Sequence, residues 1–458
     1  MTQTALPDPD AETLRRLGDL EAIDLLIPDS NGLLRGKRIN PGALEKAYSK
    51  GICLPASIFA ADITGNTSEA TGLGFEIGDC DLLCRPVPGT LQPVPWTEHP
   101  SAQLLMEMYH EDGRPFPGNP RHLLRNIAAR LEALDVRAVI AVELEFYLLD
   151  NKLDQKGYPQ APVNAHTGER DNTTQVYFID DLDSYQDFID EVRDATRQQN
   201  IPADTAVAEY APGQFEINLT HRDDALAACD DAILLKRSIK AIAARHDMQA
   251  TFMAKPYGQL SGNGLHLHVS LYDRQGNNLM AGGDNDDTPP PVLCHAVGGL
   301  QRTLHDAMLL FAPHANSYRR FQAESFVPLN GSWGYNNRTV ALRIPAGDAS
   351  DRRIEHRVSG ADANPYLVTA AILAGIHHGL TNDIPCSPPI AGNAYAQTEA
   401  EIPRTWHDAQ SVFAGSDWVR EYFGMDFQHI YAALKAEELR AFERQITPLE
   451  YQWYLRTV

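Results

Sequence analysis

The sequence predicts an α+β protein in which a small N-terminal domain, residues 1–115, precedes a large domain, residues 116–458. Several short stretches alternate apolar and polar residues with a period of two, which is typical of half-buried strands. Longer stretches repeat apolar residues at helical spacing. A proline-rich connection at residues 86–100 separates the two parts, and 458 residues are enough for about two or three domains.

The N-terminal part begins with a short polar lead and a helical turn within residues 1–18. A β-hairpin is predicted over residues 22–39, because two apolar runs flank a turn at Asp29-Ser30-Asn31-Gly32. Further strand-like pieces continue to about Met108. Together these elements predict a small α+β domain.

The large part begins with a helix at Asn119-Pro120, where the asparagine caps the helix and the proline occupies its first position. Helical spacing recurs over residues 184–199, 223–246, 292–312, 364–380 and 427–442. The polar stretch 272–291, rich in glycine, aspartate and proline, is predicted to be a surface loop. Strands and helices are therefore expected to mix as far as the C-terminus.

Charge and cysteine content narrow the class of protein. The formal net charge of −22 argues against a general binder of nucleic acid or of anionic membranes, which would need a basic surface. No apolar run approaches the length of a membrane span, and the first residues lack the basic and apolar regions of a signal peptide. The six scattered cysteines are predicted to be reduced thiols. We therefore expect a cytoplasmic protein that binds neither nucleic acid nor membrane.

A strand with a polar face is predicted at residues 265–271. His266, His268 and Ser270 alternate there with apolar residues, so their side chains point the same way at steps of about 6.5–7 Å. Just upstream, residues 261–264 read Ser-Gly-Asn-Gly and are predicted to form a flexible turn whose backbone N–H groups approach a ligand. Because a His-x-His pattern on a strand is more often structural, a functional interpretation needs partners elsewhere in the chain.

Carboxylates supply those partners. Glu143 and Glu145 share one face of a predicted strand, although this pattern alone is usually a solvated face. Glu209 and Glu216 flank a Pro-Gly turn that could direct both side chains towards one point. Glu355 lies in an Arg-Ile-Glu-His-Arg segment. These five carboxylates and one imidazole are enough for two oxygen-rich cation sites, which suit Mg²⁺ or Mn²⁺ better than structural Zn²⁺.

Arginines next to apolar strand positions need anionic partners, and phosphate or carboxylate fits the guanidinium fork. They occur at Arg319, Arg320, Arg338 and Arg343. Metal ions bound by carboxylates next to arginines are typical of enzymes that transfer a phosphoryl group from a nucleotide. No Walker-type or kinase-type loop is present, so the nucleotide must be held in another way. The spacing therefore predicts a divalent-metal, phosphate-handling enzyme without specifying its substrate.

Taken in this order, the segments resemble the glutamine synthetase family over residues 20–458. The resemblance implies that the first metal is bound by Glu145, Glu209 and Glu216. It implies that the second, which bridges the nucleotide phosphates, is bound by Glu143, His266 and Glu355. It implies four nucleotide-binding residues, which are His268, Ser270, Arg343 and Arg353. Arg338 would stabilise the transferred phosphoryl group, and Arg320, Arg357 and the backbone of Gly262 would bind glutamate.

The same resemblance implies the architecture and the partners. The fold would be glutamine synthetase-like, with a small N-terminal β-grasp-like domain and a large C-terminal catalytic domain. Members stack two hexameric rings into a homo-dodecamer with active sites at subunit interfaces. The cofactors would be two or more Mg²⁺ or Mn²⁺ ions per site, with ATP as co-substrate alongside glutamate.

Three departures from the family pattern bear on the substrates. Phe326 stands where a flap glutamate normally helps to bind and deprotonate ammonium, and Pro55 replaces an aspartate that also helps to bind ammonium. Ser261 stands where an asparagine is usual, which removes an expected contact with glutamate. Losing both acids removes the charges that would hold a small cation, and an aromatic side chain favours a larger, apolar amine.

This pattern resembles the glutamate–polyamine ligase branch of the family, for which a role in polyamine catabolism is expected. An ammonia-using glutamine synthetase in which Phe326 is neutral drift is the first alternative. A non-catalytic regulatory or structural ring protein and a metal-dependent hydrolase are alternatives from other classes. All six expected metal ligands are present, which argues against the non-catalytic protein.

The predicted reaction has two steps, in which ATP phosphorylates the γ-carboxyl group of glutamate and a primary amine then displaces phosphate. The amine must lose a proton before it attacks, and Glu324, two residues before Phe326, is the candidate base. Phe326 and Trp333 are predicted to wall the acceptor pocket. Because no acid is evident for a distal ammonium group, a bulky monoamine competes with a polyamine as substrate.

Overall fold

A computed structural model describes residues 6–164, 167–173, 175–282 and 289–458. The fold is α+β, as predicted, and contains two separate sheets. Residues 283–288 of the predicted surface loop lie outside the described part of the chain. None of the helices within these ranges has the length and apolar character needed to cross a membrane.

The N-terminal sheet has six strands and two helices beside it. These elements are α1 (Asp8–Leu17), β1 (Ala22–Pro28), β2 (Leu34–Ile39), α2 (Leu44–Lys50), β3 (Ile52–Pro55), β4 (Asp81–Pro86), β5 (Gln92–Pro93) and β6 (Ser101–Tyr109). The strand order is β2-β1-β6-β4-β3, with β5 pairing β6. The predicted hairpin is confirmed, because β1 and β2 pair antiparallel with Ile23 opposite Ile39.

The second sheet has eight strands in the order β12-β13-β14-β11-β7-β9-β8, with β10 pairing β7. Its strands are β7 (Arg137–Asp150), β8 (Ala203–Ala208), β9 (Gln214–Leu219), β10 (Met248–Thr251), β11 (Leu265–Tyr272), β12 (Trp333–Tyr335), β13 (Leu342–Ile344) and β14 (Ile354–His356). All neighbours pair antiparallel except β12 and β13. The order places β7 and β11, the two predicted polar-faced strands, next to each other.

Helices accompany this sheet and carry much of the large hydrophobic core. They are α3 (Pro120–Glu132), α4 (Ile179–Ser184), α5 (Gln186–Gln198), α6 (Ala225–Arg245), α7 (Pro291–Phe311), α8 (Pro365–Thr381), α9 (Trp406–Gly415), α10 (Asp417–Phe423), α11 (Met425–Glu443) and α12 (Pro448–Tyr454). The predicted cap of α3 is confirmed, since the side chain of Asn119 accepts a hydrogen bond from the Arg121 N–H. The short helices α4, α9, α10 and α12 were not predicted, because six to ten residues show too little of the helical repeat.

The prediction of six reduced thiols is wrong for one pair. Cys294 on α7 and Cys386 form a disulfide with their Cα atoms 5.0 Å apart, across 92 residues of sequence. Glycines allow this approach, because a Cβ on Gly298 would lie 2.4 Å from the Ile384 carbonyl oxygen. Spacing alone cannot reveal such a pair. The other four cysteines are free.

A buried ionic cluster connects strand β6 of the N-terminal sheet to helices of the large part. Arg121 on α3 donates two hydrogen bonds of 2.9 Å to Asp230 on α6 and also bonds Glu107 on β6. The Tyr366 hydroxyl donates to the same aspartate at 2.6 Å. The domain boundary near residue 115 stays a prediction, and this cluster joins the parts on either side of it.

Candidate active site

Strand register brings the predicted metal ligands onto one face of the second sheet. His266 on β11 lies opposite Glu143 on β7, and Glu145 on β7 lies opposite Glu216 on β9. On the other side of β11, His268 lies opposite Glu355 on β14. Because side chains directly opposite each other in antiparallel strands are neighbours on the same face, four strands contribute to one cluster.

Glu143 is at the centre of this cluster. Its carboxylate lies 2.8 Å from His268 Nε2 and 3.3 Å from His266 Nδ1. Potential ligand atoms fall into two groups, each with its atoms within 4.8 Å of one another: Glu143, His268 and Glu355, and Glu143, Glu216 and His266. The structure thus brings the predicted residues together but groups them differently from the family resemblance. The resemblance assigns Glu143 and Glu216 to different metals and His268 to the nucleotide, whereas the structure groups Glu143 with both residues.

The electrostatics of the carboxylates suit a bound cation. Burial and the neighbouring acids Glu143, Glu145 and Glu209 raise the pKa of Glu216 to about 9. Burial and Glu145 raise the pKa of Glu209 to about 8, against the opposing effect of Arg338. Burial opposes the ionised form of Glu143 too, but hydrogen bonds with His266 and His268 hold its pKa well below the usual range. These carboxylates supply many oxygen ligands, are buried and repel one another. Such a set of donors fits hard divalent cations.

Glu145 and Glu355, two further predicted metal ligands, belong to the same cluster. A Glu145 carboxylate oxygen accepts a 2.7 Å hydrogen bond from the Gly264 N–H, which connects it to the turn before β11. Glu355 is buried, yet Arg357 and the nearby histidines lower its pKa to about 2. Arg343 also donates to Glu355, at 2.6 Å, and to Asn336 at 3.0 Å. Arg357 and the histidines therefore keep this carboxylate ionised, and its two oxygens bond the two arginines.

A cavity of about 370 Å³ opens beside Glu143. Three of the predicted nucleotide-binding residues line it: His268, Ser270 and Arg353. Arg353 Nε donates to His268 Nδ1 at 3.1 Å, and the Ser270 hydroxyl donates to the Arg352 carbonyl at 3.1 Å. The fourth predicted residue, Arg343, is not among the residues that line the cavity.

Among the predicted glutamate-binding residues, Arg357 bonds Glu355 of the cluster. Arg320 is 2% exposed and donates to the Val358 carbonyl at 3.0 Å. Its stem packs against Gly262, where an added Cβ would lie 2.7 Å from Arg320 Cγ. Among the described residues, the Nε atoms of Arg320 and Arg357 are buried and have no hydrogen-bond partner. Unpaired buried guanidinium nitrogens of this kind call for an anionic ligand.

Comparison with known proteins identifies the family. The profile described as "Glutamine synthetase, catalytic domain" matches residues 117–454, well over half of the chain. The chain belongs to the glutamine synthetase family. It is 46% identical to the γ-glutamylputrescine synthetase PuuA of Escherichia coli (strain K12), over 97% of this chain and 93% of the relative. It is 33% identical to a glutamate–isopropylamine ligase of a Pseudomonas species, over 95% of each chain.

A solved structure agrees in fold across the whole chain. The GmaS/ADP complex matches with a TM-score of 0.84 at 28% identity, over 98% of this chain and 100% of the other. The predicted glutamine synthetase-like fold is therefore confirmed. The similarity of this chain to a γ-glutamylputrescine synthetase and to a glutamate–isopropylamine ligase supports the predicted branch of the family.

One residue predicted to wall the pocket for the amine does not do so. Trp333 is fully buried, and its indole N–H donates to the Ser387 carbonyl at 2.6 Å. It belongs to the hydrophobic core, so it cannot wall an open pocket. Its position at the start of β12 could not be distinguished from a pocket position by sequence, because a buried and a pocket-lining tryptophan follow the same local pattern.

The aromatic ring that lies near Phe326 belongs to Tyr210. Its ring lies 6.3 Å from that of Phe326, and the two side chains are 44% and 47% exposed. Phe326 and Glu324 both have positive φ angles, 56° and 60°, which are unusual for side chains of this size. The sequence signal for Tyr210 was present but overlooked: it directly follows Glu209, one of the predicted ligands.

Tyr177 is a second residue that sequence reasoning missed. Burial raises its pKa, and Arg338, Glu209, Glu216 and Arg357 all act on its hydroxyl electrostatically. Tyr177 has a φ of 59°, and its N–H donates to the Ala208 carbonyl at 2.9 Å. It therefore lies where the carboxylates meet the arginines. Nothing in its own segment signals this position, because the neighbours come from other elements.

Adding Mg²⁺ or Mn²⁺ should raise the melting temperature of the protein, because ions that bind only the folded state stabilise it. A concentration a hundred times the dissociation constant adds about 2.7 kcal/mol. The shift should grow between pH 7 and 9, since Glu209 and Glu216 have raised pKa values of about 8 and 9 and must lose protons before binding metal. Scanning fluorimetry at several pH values measures this. A shift that falls as pH rises would contradict it.

Proposed function

We propose that the protein is an ATP-dependent ligase that joins the γ-carboxyl group of glutamate to a primary amine through a γ-glutamyl phosphate. The observation that carries the proposal is the Tyr210–Phe326 pair, in which two half-exposed aromatic rings lie 6.3 Å apart and Tyr210 directly follows Glu209, one of the predicted ligands. An ammonium-using member is expected to have an acid where Phe326 stands. Relatives named as a γ-glutamylputrescine synthetase and a glutamate–isopropylamine ligase support the same activity.

In the first step, ATP phosphorylates glutamate, and different residues bind the metals, the nucleotide and glutamate. The carboxylates and His266 would hold two Mg²⁺ or Mn²⁺ ions, which when bound offset the negative charge of the phosphates. His268, Ser270 and Arg353 line the cavity proposed for ATP. Arg320 and Arg357 bind and orient glutamate, and Arg338 stabilises the phosphoryl group in transfer.

The second step needs an uncharged amine. An aliphatic amine has a pKa of about 10.4, as lysine does, so only about one molecule in a thousand is uncharged at pH 7. Apolar surroundings disfavour the charged form, and the rings of Tyr210 and Phe326 provide such surroundings. Glu324 is exposed and two residues from Phe326, and we propose it as the base that takes the proton. An alkyl chain would pack against the exposed faces of the two rings, which ammonium cannot do.

An amine panel in a coupled ADP-release assay with glutamate and ATP tests the proposal. The best alkylamine or diamine should exceed ammonium in kcat/KM by about tenfold or more, because methylene groups in an apolar site contribute that much. A preference for ammonium would identify an ordinary glutamine synthetase. ATP hydrolysis that needs neither glutamate nor amine would identify a hydrolase instead.

We also propose that the protein acts in the cytoplasm as a homo-dodecamer of two hexameric rings and serves polyamine catabolism. The C-terminal helix α12 supports self-association, because apolar residues on and after it are exposed to solvent in the single chain. These residues are Leu449, Tyr451, Trp453, Tyr454, Leu455 and Val458. Exposed apolar groups in such a cluster are typical of an interface.

A further inference from the structure

We propose that Tyr147, Gln214 and Lys255 are positioning residues that hold the segment 260–262 as a rigid carboxylate-binding surface for glutamate. This inference rests on the proposed function, because glutamate is the substrate of that function. The three side chains come from β7, β9 and the segment after β10, so separate elements converge on one short segment. None of the three was a predicted site residue.

Each of three consecutive carbonyls in the segment accepts a hydrogen bond from one of these side chains. The Tyr147 hydroxyl donates to the Ser261 carbonyl at 2.7 Å. Gln214 Nε2 donates to the Gly262 carbonyl at 3.0 Å and to Asn263 Oδ1 at 3.2 Å. The Lys255 ammonium donates to the Leu260 carbonyl. The prediction of a flexible turn at residues 261–264 is therefore wrong, because these contacts restrain its backbone.

The turn is also restrained at its C-terminal end. Asn263 is fully buried, its N–H donates to the Ala254 carbonyl at 2.8 Å, and its side chain donates to the Met253 carbonyl at 2.9 Å. The Gly264 N–H donates to the metal-site residue Glu145 at 2.7 Å. A shift of the turn would therefore disturb the carboxylate cluster as well.

Restraining the carbonyls also sets the direction of the N–H groups. In a trans peptide the carbonyl of one residue and the N–H of the next point in opposite directions. The contacts at Leu260 and Ser261 therefore turn the N–H groups of Ser261 and Gly262 away from Lys255 and Tyr147. Both N–H groups are thereby left to donate to an anionic ligand.

The charge around the segment matches a carboxylate ligand. Lys255 is 6% exposed, and burial and the nearby Arg320 both lower its pKa. Arg320 packs directly against Gly262 and has a buried Nε with no hydrogen-bond partner among the described residues. A carboxylate of glutamate would meet both the backbone N–H groups and this guanidinium. A surface that is already ordered binds with a smaller entropic cost than one that orders on binding.

Tyr147→Phe tests the proposal, because it keeps the ring and removes only the hydroxyl that reaches Ser261. We expect the dissociation constant of glutamate, measured by calorimetry in the presence of Mg²⁺ and ADP, to rise about five- to tenfold. The KM for glutamate should rise equally, while the KM for ATP stays within about twofold. Lys255→Met, which keeps the stem and removes the ammonium group, should shift the same constants if Tyr147→Phe does not fold.

Tyr257→Phe is the matched control. The Tyr257 ring lies 5.4 Å from that of Tyr147, but its hydroxyl is buried without a hydrogen-bond partner among the described residues. This variant should bind glutamate as the wild type does. Unchanged glutamate binding in Tyr147→Phe, or an equal loss of ATP and glutamate affinity, would overturn the positioning role alone. A wild-type protein that binds no glutamate would overturn the proposed function together with this inference.

Discussion

Replacing Glu216 with alanine should abolish ATP-dependent phosphate release in the presence of glutamate and an amine. Glu216 lies opposite Glu145 on the neighbouring strand, and its carboxylate shares a ligand group with Glu143 and His266. Its removal takes one of three ligands from that group. The rate should fall to below about one thousandth of the wild-type value, since bound metal contributes several kcal/mol to stabilising the transition state.

The exposed residue Glu132, the last residue of α3, provides a matched control for this variant. Glu132→Ala removes a carboxylate of the same size far from the cluster and should keep full activity. The Glu216→Ala protein should also show a smaller rise in melting temperature with Mg²⁺ than the wild type. Activity near the wild-type level in Glu216→Ala would refute the assignment of this residue to a metal site.

Replacing Arg121 with alanine should lower the free energy of unfolding by about 3–5 kcal/mol. The variant would leave Asp230 buried without its guanidinium partner, and burial makes an unpaired charge costly. Glu107 would lose one of its two arginine partners and keep Arg125. The pair of 2.9 Å bonds to Asp230 also connects α3 to α6, so the loss extends across the core. Thermal or denaturant unfolding, followed by circular dichroism, measures the change.

The control for this variant is an exposed pair of the same chemistry. Arg114 forms an ion pair with Asp112 at 2.6 Å, with side chains 75% and 53% exposed. Arg114→Ala should change the stability by less than about 1 kcal/mol, because solvent screens such a pair. Equal losses from both variants would show that burial of the Arg121 cluster contributes little.

Much of the site could be predicted from local pattern. Period-two alternation placed His266, His268 and Ser270 on one face of β11, and the structure has that strand at Leu265–Tyr272. The same reasoning placed Glu143 and Glu145 on one face of β7. Local alternation is reliable here because the side-chain period of a strand is a property of the backbone itself.

Predictions from local sequence pattern were wrong where a residue's environment depends on contacts with residues distant in sequence. The Ser-Gly-Asn-Gly turn looks flexible in sequence, yet Tyr147, Gln214 and Lys255 restrain its carbonyls from distant elements. Trp333 looked suitable for a pocket wall but is packed into the core. Cys294 and Cys386 lie 92 residues apart and still form a disulfide. In each case the deciding neighbour is remote in sequence.

The fold class follows from periodicity in the sequence by itself, and the family and the residue types of the carboxylate cluster follow from a resemblance in the order of motifs. Only the tertiary structure decided which carboxylates share a ligand group and that Tyr210, not Trp333, faces Phe326. The physical reason is strand order. The sheet places β9, β7, β11 and β14 side by side, and the contacts between strands follow from that order.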